Sequence, residues 1–319
     1  MKRRVVVLGA LGAIVILIAA GQMLSRYQLG LLTQVLIFGV FAMSLDLLVG
    51  YTGLQSLGHA AYFGISSYTI AIVSKRVTDN FAVDVLAGLG AAIVTAALFG
   101  LLALRTTGAY FLMATMAVAQ VLWGIAYRWR SLTGGDDGLP GISRPDLGVS
   151  WFSLWDTTSF YYLTLVVTIV TLVVLSVIVR SPFGYALQGV RESETRMRAL
   201  GYNTWRYKYA AFVLSGFFAG VAGMLYVYYN SFVNPHELSV VLSAEALLMV
   251  ILGGPGTLFG PLLGAGAIVF LRNVVSGMTD RWLLILGAVY VLVVLFAPRG
   301  IVGEIKDRID RRSRASIAR

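Results

Sequence analysis

The sequence contains no cysteine, only two histidines and only 13% charged residues. The first absence excludes disulfides, thiolate metal sites, cysteine nucleophiles and a lipid-modified cysteine anchor. His59 and His236 are far apart in the chain, and neither an H-E-x-x-H helix nor a G-x-S-x-G elbow occurs, so no metal site, catalytic set or cofactor is expected. No G-x-x-x-x-G-K-[ST] loop occurs either. If the protein uses ATP, another chain must hydrolyse it. Soluble domains carry about 25% charged residues. Half that figure, beside 58% hydrophobic residues, places the chain among integral membrane proteins, with the bilayer as its first partner. A net charge of +10 would raise nucleic-acid binding in a soluble protein. Here the basic residues flank apolar runs, which the positive-inside rule explains without a nucleic-acid partner.

A membrane helix needs about 20 mostly apolar residues. Such runs lie at 5–24, 29–50, 54–74, 82–104, 109–127, 159–179, 209–229 and 282–298. A further apolar stretch, 240–271, is cut by Gly253-Gly254-Pro255-Gly256 and reads as two short helices or a re-entrant hairpin. The predicted fold class is an all-α polytopic bundle of about ten transmembrane helices, including this interrupted short-helix pair. It forms a single domain over 1–319. The start, Lys2-Arg3-Arg4 followed by Val5 to Ala20, has the shape of a signal peptide, but the many later spans make a retained first helix the simpler reading. An even span count puts both termini on one side. That side carries Lys2, Arg3, Arg4, Arg105, six basic residues from Arg180 to Lys208 and seven from Arg299 to Arg319. The other side carries eight, with Lys75-Arg76 the awkward pair. The bias predicts cytoplasmic termini.

Three segments outside the spans stand out. An external loop, 128–158, is turn-rich and flanked by Trp123, Tyr127, Trp129, Trp151, Trp155, Tyr161 and Tyr162, as expected at the headgroup level. A cytoplasmic loop, 180–208, holds Ala186, Val190, Met197 and Leu200 at helix-like spacing, with Gly201 as a C-cap. It reads as one short amphipathic helix over 184–201 that either rests on lipid phosphates or docks a partner. A basic cytoplasmic tail occupies 299–319.

Ionisable groups within apolar runs are costly and face a bundle interior or a watery path. Asp46, His59 and Glu245 are the clearest. Asp46 precedes the Gly50–Gly58 glycine cluster, and Glu245 precedes the one starting at Gly253. Interrupted segments in two halves point to a substrate path. Packing against neighbouring backbone is the rival reading. Gly216, Gly220 and Gly223 read as helix packing.

Residues 50–64, G-Y-T-G-L-Q-S-L-G-H-A-A-Y-F-G, resemble the G-Y-x-G-x-x-S-L-G-H-A-x-F-x-G signature of the LivM/LivH permeases of branched-chain amino acid ABC importers, with Tyr62 in the Phe place. Thr133 to Leu139 resembles the T-G-G-x-x-G-L loop of the LivM branch. Gly253 to Ala265 resembles the G-G-x-G-T-x-x-G-P-x-x-G-A run. The segment from Gly184 to Gly201 is similar to the loop that docks the ATPase. The resemblance implies a permease subunit in the bacterial inner membrane. It would pair with a second, LivH-like permease, two cytoplasmic ATP-binding subunits and a periplasmic substrate-binding protein. The implied substrates are branched-chain amino acids, or related amino acids, amides or urea. Candidate path residues are then Asp46, Gln55, Ser56, His59, Glu245, Gly253 and Gly256. Candidate coupling residues are Gly184, Ala186, Arg191, Glu192, Glu194, Ala199, Leu200 and Gly201. The chain departs from the family at Asp46, where Asn is common, and in the larger residues of the coupling loop. The rival functions are an ion- or proton-coupled secondary transporter working without an ATPase, and a scaffold for another membrane complex.

Overall fold

The computed structural model describes residues 16–78, 80–144, 154–279, 281–296 and 300. The predicted first span is therefore seen only from residue 16, and Trp151 and the basic tail beyond Gly300 lie outside the described residues. The helices are α1 (16–23), α2 (Arg26–Val49), α3 (Ala60–Arg76), α4 (Phe81–Ala103), α5 (Ala109–Arg128), α6 (Arg130–Thr133), α7 (Thr157–Arg180), α8 (Pro182–Glu192), α9 (Glu194–Ala199), α10 (Thr204–Asn230), α11 (Val240–Gly253), α12 (Phe259–Ser276) and α13 (Trp282–Phe296). Two-residue strands β1 (Leu139–Pro140) and β2 (Phe232–Val233) pair antiparallel, Leu139 opposite Val233. Among the described residues, six helices are long and apolar enough to cross a membrane: α2, α4, α5, α7, α10 and α12. α3, α11 and α13 are shorter, with 17, 14 and 15 residues.

Burial sorts these helices into a core and a shell. The most apolar stretch of α2 is 83% buried and that of α10 72%, against 22% for α4 and α5 and 33% for α7. A helix that is apolar all round belongs in the interior. α2 starts on a capping box between Ser25 and Gln28, then runs through the bundle against α7, α10, α11 and α12. α10 packs on α2, α3 and α4, and small residues let the backbones approach. A methyl on Gly223 would stand 2.1 Å from the Phe63 carbonyl, and one on Gly216 2.4 Å from Ala96 Cβ.

One end of the bundle gathers the 131–144 loop, β1, β2 and the C-termini of α3 and α10. The Thr133 hydroxyl donates to the Ala126 and Trp129 carbonyls. Lys75 donates to the Pro140 carbonyl and Arg76 to that of Ser131. These two basic residues, awkward in the charge tally, therefore pin this loop. Arg144 donates to the carbonyls of Tyr228, Tyr229 and Leu154 at 2.9–3.0 Å, which satisfies the exposed acceptors at the end of α10. Tyr161 is fully buried within the protein. Its hydroxyl donates to Leu17, and that of Tyr162 to Ile18, fastening α1 to α7.

Two predicted elements need correction. The span expected at 54–74 begins at Ala60, because residues 50–59 form an irregular segment. The single helix expected over 184–201 is two helices broken at Ser193, whose backbone is extended (φ −161°) and whose hydroxyl accepts from Arg196 N. Serine here caps a new helix rather than continuing the old one.

Candidate functional site

At the end of the bundle opposite the 131–144 loop, three stretches meet: the break after α2, the α11–α12 turn, and α8. α2 stops at Gly50. The Thr52 hydroxyl donates back to Leu48 O at 2.6 Å, and Gly53 takes a left-handed φ of +75°. Residues 54–59 then run non-helically, with Leu54, Ser56, Gly58 and His59 buried. Irregular backbone at such depth must find partners inside the protein. Leu57 N donates to Thr115 Oγ1 (3.3 Å), Gly58 N to Ser56 Oγ (3.2 Å) and Ala60 N to Ser243 Oγ (2.9 Å). A methyl on Gly58 would stand 2.4 Å from the Thr115 carbonyl, so α5 is pressed directly on this segment.

The α11–α12 turn is built on Gly254 (φ 109°), Gly256 (φ 80°) and Leu258 (φ 57°). Its amides are met from another helix. Asp46 Oδ1 accepts from Gly256 N at 2.7 Å, and Oδ2 from Leu258 N at 3.3 Å. The Tyr51 hydroxyl donates to the Gly256 carbonyl at 3.0 Å. A methyl on Gly50 would stand 2.2 Å from Gly256 N. The buried carboxylate of Asp46 thus sits at the N-terminus of α12, where helix amides favour negative charge. Both its oxygens are used by N–H donors. An asparagine offers one acceptor and would turn its NH₂ toward the other amide, so this turn suits aspartate.

The other sequence-derived path residues fall elsewhere. His59 is fully buried, stacked on Phe41 and edge-on to Tyr62. Its Nε2 is 2.8 Å from Ser44 Oγ. Ser44 gives its proton to Phe41 O, which leaves Nε2–H as the donor and Nδ1 without a partner among the described residues. Ser56 is buried, and Gln55 is exposed. Glu245 lies eight residues before Gly253, about 12 Å along α11. Its Oε2 is 3.4 Å from Arg272 Nη1, and the Arg272 guanidinium sits over the Phe38 ring. Asp46, Gly253 and Gly256 therefore belong to one junction, while His59 and Glu245 each have a separate neighbourhood.

The loop after α7 is seated on the same junction. Ser181 caps α8, with Pro182 at its first position, and Gly184, Ala186, Leu187 and Val190 face inward. Phe183 stacks on Tyr207 of α10 at 5.7 Å. α9 ends at Ala199 and is followed by Gly201 (φ +88°), beyond which Tyr202 N bonds to Met197 O. Glu194 ties α9 to α10: it accepts from Lys208 at 2.5 Å, Arg198 at 2.6 Å and Thr204 at 3.0 Å. Burial pushes its carboxyl up, but these three partners outweigh that and hold it below the usual range. Arg191, itself solvent-accessible, donates to the Gly50 carbonyl. Glu192, Ala199 and Leu200 are exposed, Leu200 to 73%. Tyr185 and Trp205 are exposed beside them. Sequence periodicity does not mark these two aromatics, because an exposed ring and a core ring read alike.

Polar residues within spans were also missed, Asp84 of α4 and Gln120 of α5 among them. α5 buries only the stripe Phe111, Thr115, Ala119 and Ala126, and Gln120 lies on its exposed face. Gln120 and Arg128 border a groove of about 700 Å³ along that face.

The family described as "Branched-chain amino acid transport system / permease component" matches residues 27–295. The chain is similar to the high-affinity branched-chain amino acid transport system permease protein LivM of Salmonella typhimurium, at 29% identity over 94% of this chain and 76% of the relative. It is equally similar, at 29%, to that of Escherichia coli, over 95% of this chain and 76% of the relative. A probable branched-chain amino acid transport permease protein LivM of Methanocaldococcus jannaschii is 21% identical over 87% of this chain and 94% of its own. No solved structure gives a significant match.

Proposed function

The chain belongs to the family of permease components of branched-chain amino acid transport systems, and from that premise we propose that it is the membrane-spanning permease subunit of an ATP-binding-cassette importer. It is a multi-pass membrane protein and a transport subunit rather than an enzyme. The cargo is a branched-chain amino acid or a related amino acid, amide or urea. ATP hydrolysis takes place on two separate cytoplasmic subunits. A second, LivH-like permease completes the path, and a periplasmic binding protein delivers the cargo. The chain resides in the inner membrane with about ten spans: α1, α3, α11 and α13 join the six long helices, and both termini are cytoplasmic. The α8 end of the bundle then faces the cytoplasm and the 131–144 loop the periplasm.

The observation that carries this reading is the α8–α9 loop. It shows Tyr185 and Leu200 to solvent, with Trp205 exposed at the start of α10, and it is fastened to the bundle through Glu194 and Arg191. An exposed apolar set on a rigid mount suits a docking partner, and the mount sits where both interrupted segments close. ATP binding on the partner would displace this loop and shift the bundle between its two openings. A ligand moves such an equilibrium only through its differential affinity for the two states.

The path is placed at the interface with the second permease, along the exposed face of α5 near Gln55. Gln120 supports that placement, because an amide facing lipid lacks hydrogen-bond partners and costs several kcal/mol, roughly 2–7. Asp46, Gly253 and Gly256 form the inner hinge beside the path, with Ser56, His59 and Glu245 in its supporting wall. The test is ATP-dependent uptake by the purified complex in liposomes. Uptake by this chain alone, driven by an ion gradient without ATP, would establish a secondary transporter instead.

A further inference from the structure

Arg191, at the end of α8, reaches both interrupted segments at once. Its Nη1 donates to the Gly50 carbonyl, one of the last carbonyls of α2, which have no partner within their own helix. A cation suits that end of a helix. The aliphatic stem of Arg191 covers Gly53, where an added methyl would stand 3.2 Å from Arg191 Cγ and 3.9 Å from Cβ. The guanidinium also adjoins the α11–α12 turn. A methyl on Gly256 would stand 3.5 Å from Arg191 Nη1 and 3.2 Å from the Gly50 carbonyl. Gly50 is in turn pressed on Gly256, and Asp46 holds the amides of Gly256 and Leu258. A continuous set of contacts therefore runs from α8 through Arg191 to Gly50, and from Gly50 and Asp46 to the start of α12. Gly300, beyond α13, closes on the same turn: a methyl there would stand 2.4 Å from Gly254 N.

Glycine at 50 and 256 is what permits this contact. A side chain at either position would part the turn from α2 and open the seat of the guanidinium. A residue placed to dock a partner would direct its charged head outward. Arg191 is solvent-accessible like Glu192, Ala199 and Leu200 next to it, yet its guanidinium is directed to the Gly50 carbonyl of the permease itself.

We propose that Arg191 is a coupling latch: a positioning residue that fastens α8 to the end of α2 and to the α11–α12 turn, so that displacement of α8 reaches both interrupted segments together. This rests on the importer reading above. Asp46 is the fixed half of the latch, holding the turn in place for Arg191 to act on. The latch separates two duties within one short loop. Exposed residues of α8 and α9 bind the ATPase, and Arg191 passes the motion on.

The test uses the purified complex of this chain with its second permease and ATPase subunits. It is reconstituted in liposomes with binding protein and labelled leucine. Arg191→Gln is expected to retain the ATPase subunits on purification yet lose tenfold or more of ATP-dependent uptake, with Arg191→Lys intermediate. A covalent substitute supplies a second readout. The chain has no cysteine of its own, and the 3.9 Å separation of the position 53 and 191 Cβ atoms fits a disulfide. Arg191→Cys alone is expected to be as slow as Arg191→Gln. Gly53→Cys with Arg191→Cys is expected to recover uptake when oxidised and lose it on reduction. Wild-type uptake by Arg191→Gln, loss of the ATPase subunits from that variant, or no recovery in the oxidised pair would each overturn the latch. Absence of ATP-dependent leucine uptake by the unmodified complex would overturn the importer reading, and the latch with it.

Discussion

Asp46 and Gly256 lie 210 residues apart, and a 2.7 Å hydrogen bond from the Gly256 amide to the Asp46 carboxylate joins them in the interior. That bond, with its companion from Leu258, sets the relation between α2 and the start of α12. Asp46→Ala leaves two amides of the turn without their acceptor. It is expected to cost about 2–4 kcal/mol, on the scale of two buried donors left unpaired. Asp46→Asn keeps one acceptor and is expected to cost roughly half as much. Thermal unfolding of the purified chain in detergent measures both, and equal stability of all three proteins would show that the turn does not depend on Asp46.

Glu194 provides a pH test. Its carboxyl is held below the usual range in the folded chain because Lys208, Thr204 and Arg198 together outweigh burial. An acid with a depressed folded pKa contributes stability that is fully present above its unfolded pKa, about 4.3, and is lost as pH falls through the lower folded value. Glu194→Gln is therefore expected to be less stable by about 1 kcal/mol at neutral pH. The gap should hold down to about pH 5 and close below about pH 4. A gap independent of pH would remove the Glu194–Lys208 pair from the account.

Close helix approach makes a paired prediction. Gly223→Ala puts a methyl against the Phe63 carbonyl, whereas Gly90 has nothing within 4 Å of the added atom. Overpacking of this kind costs about 1–3 kcal/mol. Gly90→Ala is expected to be neutral or slightly stabilising. Folded yield and melting temperature of the two variants decide it, and matching values would mean that α3 and α10 are not in the contact described.

Docking is tested on side chains that the fold does not need. Leu200→Glu and Glu192→Arg alter exposed positions, where stability is expected to change by no more than about 0.5 kcal/mol. Each is expected to reduce recovery of the ATPase subunits on purification, Leu200→Glu about tenfold. Full recovery in both would move the docking surface away from the α8–α9 loop.

Much of this was legible in the sequence. Apolar run lengths gave the long helices, and the clusters at Gly50–Gly58 and Gly253–Gly256 marked where helices are interrupted. What escaped depends on partners far along the chain. Residues 54–59 read as the start of a span because they run straight into the apolar stretch after His59, yet the Leu57 amide is taken by Thr115 and that of Ala60, where the helix begins, by Ser243, which no local pattern reveals. α10 begins at Thr204, earlier than hydropathy implies, because Asn203 caps it and Glu194 neutralises Lys208. Ser193 divides the inner loop because a single hydroxyl competes for the Arg196 amide. Asp46 stood out as a polar residue in an apolar run, but its partners became visible only once the fold placed α2 beside the α11–α12 turn.

The central claim is that this chain works as one subunit of an ATP-driven importer, and one measurement addresses it most directly. The tagged chain is purified in mild detergent, the proteins that accompany it are identified by mass, and the assembly is placed in liposomes with ATP inside. The account predicts a Walker A-containing subunit and a second permease in the purified assembly, and leucine uptake that requires ATP. Recovery of this chain alone, with uptake driven by an ion gradient in the absence of ATP, would contradict it.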